Sequence, residues 1–549
     1  MRGGRVVAVS AVSALVLAVL HLTLPATGSD LSAQVARAGF FAEHGAALVD
    51  LRWYGGVHPW GYSLVSPPLM ALLGVRLTGA LALLASATAF AALLVRTRVP
   101  RPLLGSLVGV VTIAGNLVSG RVTYALGVAF GLAALLALTV PARRTRLAAG
   151  AAAGVAAEPV GPGAPGGGRI VWAAVAAAAA ALLASAASPV AGLFVGLAGV
   201  ALLLTRRYAD GLLLALPAAA PLAVTGLLFG EGGWMNISTA DTVHAVVTSL
   251  VAAALVAYRP VRVGALLSAA GVLASALLHT PVGLNATRLV VMFALPVLAA
   301  AATLPAPLTD RLRAAGRRSR IVGAVGLAAL LAVVCWWQPP VVTADLRSAD
   351  DPTADPAYFA PLRAELVRRS LTGRVEVPPT RNYWEAAHMG DVPLARGWLR
   401  QADIDRNPLF FTTVPGADGT GIPLTPITYR DWLADNAVQY VAVPDAEFSW
   451  VGSSEAKLVE AGQPYLTEVW SDRHWKLYAV AEPTPIVGAP GELVRQDGAS
   501  ITFRAPAAGP IPIQVRHTRW LTANGATVTP NGKWTTVTVP RPGTYTLAS

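Results

Sequence analysis

The sequence predicts an all-α polytopic membrane domain followed by an extracytoplasmic α/β domain and a small β-sandwich. Three observations carry this. Hydrophobic residues make up 54% of the 549 residues and charged residues only 13%, about half the roughly 25% of soluble domains; mean hydropathy is +0.55. Charge is also unevenly divided. Residues 1–337 hold 23 Arg, no Lys and eight Asp and Glu, whereas residues 338–549 hold 19 Lys and Arg and 22 Asp and Glu. Finally, apolar runs near the length that a bilayer core requires recur up to Trp337 and then stop. This composition excludes a soluble enzyme, a disordered chain and a disulfide scaffold, and the single Cys335 can neither pair within the chain nor build a metal cluster. Most basic residues punctuate apolar spans, so the net charge of +12 is no signal for nucleic acid; the expected partner is a lipid bilayer, with no nucleic acid. Arg outnumbers Lys 39 to 3, which suggests a GC-rich bacterial genome.

The spans follow in order. Residues 6–25 come after Arg2 and Arg5; the run is long and no A-x-A site follows, so it reads as a membrane span rather than a cleaved leader. The second span, 72–95, ends at Arg96, Arg98 and Arg101, a cytoplasmic signature. Residues 102–140 are long enough for two crossings, with a break from Asn116 to Arg121, and 170–205 repeat this around Ser188-Pro189. Further spans fall at 211–228, 241–258, 263–279, 288–303 and 321–337. The sum is 11 crossings, with the N-terminus cytoplasmic and residues 338–549 outside. Eighteen of the 23 Arg then fall on the cytoplasmic side and 13 of the 14 Trp on the outer side or in the tail, two independent biases that agree. Residues 147–168, rich in Ala, Gly and Pro, read as a disordered cytoplasmic linker.

Residues 338–483 alternate helical and strand patterns: helices over Tyr358 to Ser370, Tyr429 to Asn436 and Ser453 to Glu460, strands at 374–378 and 438–443, and a hairpin from Thr467 to Val480. From 484 to 549 the pattern becomes short alternating strands with Gly and Pro turns, the signature of a β-sandwich. Trp520 and Trp534 could stack on sugars there, or simply pack.

Ionisable groups near a bilayer are costly and so mark candidate sites. On the outer side the apolar half places Asp30, Glu43, Asp50, Glu231 and Asp241. Asp30 follows the first span and opens an amphipathic helix expected to lie on the membrane surface, where it could act as an N-cap. Residues 50–63 then gather Asp50, Arg52, Trp53, Tyr54, His58, Trp60 and Tyr62, a set suited to sugar binding or to an interfacial aromatic belt. Arg52, Arg121 and Arg288 are the outer-side arginines able to fork onto a phosphate.

The order of first span, Asp30, surface helix ending in Phe41-x-x-x-Gly45, Tyr54-Gly-Gly56, Gly61-Tyr-Ser63 and Pro67-Pro-Leu69 resembles the first outer loop (27–70) of the GT-C superfamily. These are polytopic glycosyltransferases that use lipid-phosphate-linked sugars. The span count and the outside C-terminal domain are similar to its actinobacterial arabinofuranosyl- and mannosyltransferases. The resemblance covers residues 1–340 in architecture, with motifs confined to 28–70 and Gly283 to Arg288. It implies an inverting transferase of the plasma membrane, moving a sugar from a polyprenyl-phosphate donor to a cell-wall glycan or lipoglycan. Asp30 would be the catalytic base, Arg288, Arg52 and Arg121 the phosphate ligands, and Asp50, Trp53, Tyr54, His58, Trp60, Tyr62 and Glu231 the sugar and acceptor contacts. Many members carry two adjacent acids in this loop. Here Asp30 stands alone between Ser29 and Leu31, so no cofactor or metal ligand set is assigned, and a divalent metal stays open as a cofactor although the usual acid pair is lacking. Two other readings fit the composition: a transporter or flippase, which would be expected to show internal repeats and mid-membrane acids, and a non-catalytic scaffold for cell-envelope assembly.

Overall fold

A computed structural model of the chain describes residues 3–140, 167–303, 317–417 and 421–549. The expected linker lies outside the described residues except for Gly167 and Gly168, which open a helix. The first part is helical: α1 Gly3–Thr23, α2 Leu31–His44, α3 Ser66–Leu73, α4 Val75–Arg96, α5 Pro102–Val118, α6 Val122–Ala137, α7 Gly167–Ala187, α8 Pro189–Leu204, α9 Tyr208–Phe229, α10 Thr239–Leu255, α11 Arg259–Leu277, α12 Arg288–Ala301 and α13 Arg317–Trp337. A helix occupies each segment expected to cross the membrane. Among the described residues, five stretches are long and apolar enough to do so by length and composition: α1, α4, α9, α11 and Gly283–Ala301, which contains α12. The others are apolar helices of 10–17 residues within their described parts.

Local chemistry explains the breaks. Ser188 caps α8, its hydroxyl accepting from the Ala191 N–H at 3.4 Å, and Pro189 sits at the first helical position, where no N–H is missed. Asn116 donates to the Arg121 carbonyl at 3.2 Å across the turn between α5 and α6. The second expected span does not begin as one helix at residue 72: Gly74, at φ +87°, separates α3 from α4.

The remaining helices are short: α14 Thr343–Leu346, α15 Ala360–Arg368, α16 Glu385–His388, α17 Arg400–Arg406, α18 Pro426–Asp435 and α19 Trp450–Glu460. With them, β1 Arg374–Glu376, β2 Val438–Pro444, β3 Leu466–Ser471 and β4 Trp475–Val480 form a sheet in the order β1-β2-β4-β3, parallel between β1 and β2 and otherwise antiparallel. Behind this sheet Arg396 lies fully buried between Glu376 and Glu455. Two further sheets follow, in the orders β7-β10-β9 and β5-β6-β11-β8, built from β5 Glu492–Gln496, β6 Ser500–Ala505, β7 Gly509–Arg516, β8 Thr522–Ala523, β9 Thr527–Asn531, β10 Trp534–Val539 and β11 Gly543–Ala548. Their inner residues, among them Ile501, Phe503, Ile511, Ile513, Val537 and Leu547, share one core.

The segment between α1 and α3 is enclosed by the tail. Helix α2 does not lie free on a membrane surface: Ser32 donates to the Asn382 carbonyl at 2.6 Å, and α16 packs against it. Leu51 and Val49 enter the core of the β-sandwich. Both candidate stacking tryptophans of the sandwich are occupied in packing. Trp520 stacks on Phe229 at 5.4 Å and donates to the Leu228 carbonyl at 3.0 Å, while Trp534 is flanked by Arg516 at 5.2 Å and Lys533 at 5.1 Å.

Candidate functional site

Asp30 is held by a turn that is itself docked on another turn. The Thr27 hydroxyl donates to the Val118 carbonyl at 3.0 Å, and the Asp30 N–H donates to the Ser119 carbonyl at 3.3 Å. The approach is close because Gly120 lacks a side chain: a Cβ there would lie 2.4 Å from the Leu31 nitrogen, and its φ of +75° also favours glycine. The tail closes the other side. Trp398 donates its indole N–H to the Ser29 carbonyl at 2.7 Å, and Ser348 accepts from the Gly28 N–H at 3.2 Å. Asp345 accepts from the Ser119 hydroxyl at 2.6 Å and from the Ser29 backbone; burial pushes its carboxyl above the usual range.

Although Asp30 occupies the N-cap position of α2, its carboxylate makes no capping bond. It is turned instead to two arginines. Oδ2 accepts from Arg121 Nε and from Arg288 Nη2, each at 3.2 Å. Arg121 ends the turn after α5, and Arg288 opens α12, so helices distant in sequence converge on one carboxylate. The side chains are not sealed: Asp30 is 11% exposed, Arg288 14% and Arg121 27%.

These groups line a cavity of about 350 Å³, within the size range of small-molecule sites. Residues 1–337 contribute Tyr62, Asp241, His244, Asn285 and Trp337; the tail contributes Gln338, Tyr383, Trp398, Arg400, Gln401 and Asp403. Arg400 donates to the Tyr383 hydroxyl at 3.4 Å, and the Tyr383 phenol, then Asp403 and Asp30, keep its guanidinium charged despite burial. Arg37, fully buried, lies 3.6 Å from the centre of the Tyr62 ring; desolvation lowers its pKa, and Tyr62, Asp30 and Asp50 oppose that.

The sequence-predicted residues therefore divide. Asp30, Arg121, Arg288 and Tyr62 meet at the cavity. Arg52 and Asp50 do not line it. Arg52 forks onto Asp50, with Nε to Oδ1 at 3.0 Å and Nη2 to Oδ2 at 2.8 Å, and also reaches the Ala36 carbonyl at 3.0 Å. Arg52 is thus committed to Asp50 instead of a phosphate, and Asp50 to Arg52 instead of a sugar. Trp53 and Tyr54 are each 2% exposed and pack under the tail. Tyr54 donates to the Gly397 carbonyl at 2.5 Å, and a Cβ on Gly397 would sit 2.4 Å from the Trp53 ring. Trp60 donates to the Ala47 carbonyl at 3.1 Å.

Glu231 and His58 form a clamp outside the cavity. The His58 backbone N–H donates to Glu231, whose other oxygen accepts from Arg406 at 2.5 Å, and the His58 ring reaches Thr518 at 2.9 Å. Burial pushes the Glu231 carboxyl up, but His58 and Arg406 outweigh it and hold it below the usual range. Among the described residues, Glu43, His44 and Asp391 bring potential metal-ligating atoms within 4.8 Å of one another, also outside the cavity lining.

The tail residues Tyr383, Trp398, Arg400 and Asp403 were not expected at the site. The density of Arg and Trp in Arg396-Gly-Trp-Leu-Arg400 is a weak signal for Trp398 and Arg400, and it does not reach Tyr383 or Asp403.

No family model matches the chain, and no curated protein matches it. Among solved structures, a cryo-electron microscopy structure of a mutant of the arabinofuranosyltransferase AftD from Mycobacteria is similar over 99% of this chain at 14% identity and a TM-score of 0.47. The chain spans 60% of that protein, and an overlap this loose assigns no fold.

Proposed function

We propose that the chain is an inverting, GT-C-like glycosyltransferase that moves a sugar from a polyprenyl-phosphate donor to a cell-envelope glycan or lipoglycan at the outer face of the plasma membrane. The single observation that carries this reading is the Asp30 carboxylate held between Arg121 and Arg288 on the wall of a cavity between apolar helices and a polar tail. Transfer needs a carboxylate to take the acceptor hydroxyl proton as the anomeric carbon becomes oxocarbenium-like. It also needs cations to hold the departing phosphate. In this reading the acceptor oxygen attacks the anomeric carbon from the face opposite the phosphate. The C–O bond to phosphate breaks, the proton passes to Asp30, and polyprenyl phosphate leaves on Arg288, Arg121 and Arg400. Donor phosphate competes with Asp30 for the same guanidiniums, so its arrival frees the carboxylate to act as a base. A divalent metal is given no step here: the first-loop acid is single, and its carboxylate already faces two guanidiniums.

The topology belongs to the same proposal: 11 spans, N-terminus cytoplasmic, a membrane domain over 1–337, an extracytoplasmic α/β domain over 338–483 and a β-sandwich over 484–549. A reporter active only outside the cytoplasm, fused after Ser549, should be active. The chemistry is tested by adding polyprenyl-phosphate arabinofuranose and polyprenyl-phosphate mannose to the full chain in lipid nanodiscs. Binding of one of them, lost in Arg288→Ala, supports the reading; binding of neither contradicts it.

A further inference from the structure

The cavity wall has a part that the phosphate and base chemistry leaves unused. Helix α13 ends at Trp337, and Gln338 follows it; both line the cavity beside Asp241 and His244 of α10. The indole N–H of Trp337 and the side-chain oxygen of Gln338 are buried, and neither has a hydrogen-bond partner. Gln338 is only 7% exposed. Unpaired buried polar atoms are rare and costly, and two on consecutive residues of one cavity wall call for a ligand. Around them the Trp337 ring is stacked on His244 at 5.5 Å and 22°, which fixes its plane, while Asp241 is anchored by the Ser238 hydroxyl at 2.6 Å.

The pairing of these atoms limits the ligand. An indole N–H can only donate and an amide oxygen can only accept. Whichever way the Gln338 amide is turned, an anion would satisfy the indole but face the Asp241 carboxylate, and a cation would suit Asp241 but face the indole N–H. Neighbouring hydroxyls satisfy both, because each hydroxyl donates and accepts. We propose that Trp337, Gln338, His244 and Asp241 form an acceptor subsite that grips vicinal hydroxyls on the sugar ring about to be extended. This rests on the transferase reading of the same cavity and adds the position of the second substrate. The cationic group of Arg121, Arg288 and Arg400 takes the donor phosphate, the α10–α13 wall takes a neutral polyol, and Asp30 serves the hydroxyl between them.

The test uses the full chain in lipid nanodiscs with two probes: methyl α-D-arabinofuranoside and methyl α-D-mannopyranoside, followed by saturation-transfer NMR, and polyprenyl phosphate. Trp337→Phe keeps the ring and removes the N–H; Gln338→Leu keeps most of the volume and removes the oxygen. At least one glycoside should bind the wild type, and each variant should weaken it about fivefold to tenfold, the scale of one lost hydrogen bond. Polyprenyl-phosphate affinity should be unchanged in both. Gln338→Asn, which restores an acceptor, should recover part of the glycoside binding. Gln338→Leu raising the melting temperature with glycoside binding intact would overturn the proposal, because the orphan oxygen would then be only a packing defect. Polyprenyl phosphate binding with no glycoside binding to the wild type overturns the subsite and leaves the transferase reading standing. Glycoside binding that depends on Gln338, with no polyprenyl phosphate bound, supports the subsite and removes the donor reading.

Discussion

Asp30 and Asp50 belong to the same segment between α1 and α3 and are both buried, at 7% and 3% exposure, yet they are neutralised in different ways. Asp50 is paired two residues away, with both oxygens taken by the Arg52 fork, and the spare Arg52 bond goes to the Ala36 backbone. That pair is closed and local, and it stiffens the loop. Asp30 is met by arginines from two other elements, each through one 3.2 Å bond to the same oxygen, on a cavity wall. A carboxylate whose partners converge from afar, and whose bonds do not saturate it, can exchange them for a substrate. On the proposed reading, the difference separates an acid that builds the fold from one placed for chemistry.

The strongest challenge to this contrast is Arg52→Ala. It strands Asp50 in the interior, and removing one partner of a buried pair costs about 3–5 kcal/mol. A large drop in melting temperature of the full chain in nanodiscs is expected; a variant as stable as wild type would mean the pair is not structural. Next in size, Arg288→Ala should weaken polyprenyl-phosphate binding by about 10- to 100-fold, the scale of a charge-assisted hydrogen bond. Arg288→Lys should lose less, because it keeps charge but not the fork. Arg541→Ala, on the exposed face of the sandwich, should change nothing; equal losses at both positions would show that arginines act here only through net charge.

A smaller effect concerns the clamp. Glu231 has its pKa lowered in the fold by His58 and Arg406. Its stabilisation is therefore complete above the ordinary glutamate value of about 4.3 and is lost as pH falls through the lower folded value. Thermal melts from pH 6 downward should show a loss of stability below that ordinary value, and Glu231→Gln should flatten this part of the profile. An unchanged profile would mean that the clamp does not hold the loop. Smallest is Trp60→Phe, which removes one bond to Ala47 and should cost about 1 kcal/mol; chemical denaturation of the full chain measures it.

How much could be read beforehand follows from the same physics. In an apolar half with only eight acids, a charge is rare enough to stand out, which is why Asp30, Arg121 and Arg288 were legible. In the tail charges are common, so Arg400 and Asp403 carried no comparable signal, although they line the same cavity. Of residues 50–62 only Tyr62 lines the cavity, and the rest were hard to read for another reason. Aromatic and polar groups at an interface look alike whether they face a sugar or another part of the chain, and only the folding back of the tail buries Trp53 and Tyr54. The helical segments were readable from apolar length and flanking arginines. The break at Gly74 was not, because one glycine in an apolar run gives no sign of whether the helix continues.

The central claim, that Asp30 is the base, is tested most directly by Asp30→Asn in the full chain in nanodiscs. The readout is sugar transfer from a bound polyprenyl-phosphate sugar, with donor affinity and melting temperature followed in parallel. Asparagine keeps the size but cannot take the proton, and a general base contributes typically about 10²–10⁴-fold. Loss of transfer on that scale, with donor still bound and the fold intact, is the expected result; full transfer activity in Asp30→Asn would contradict the account.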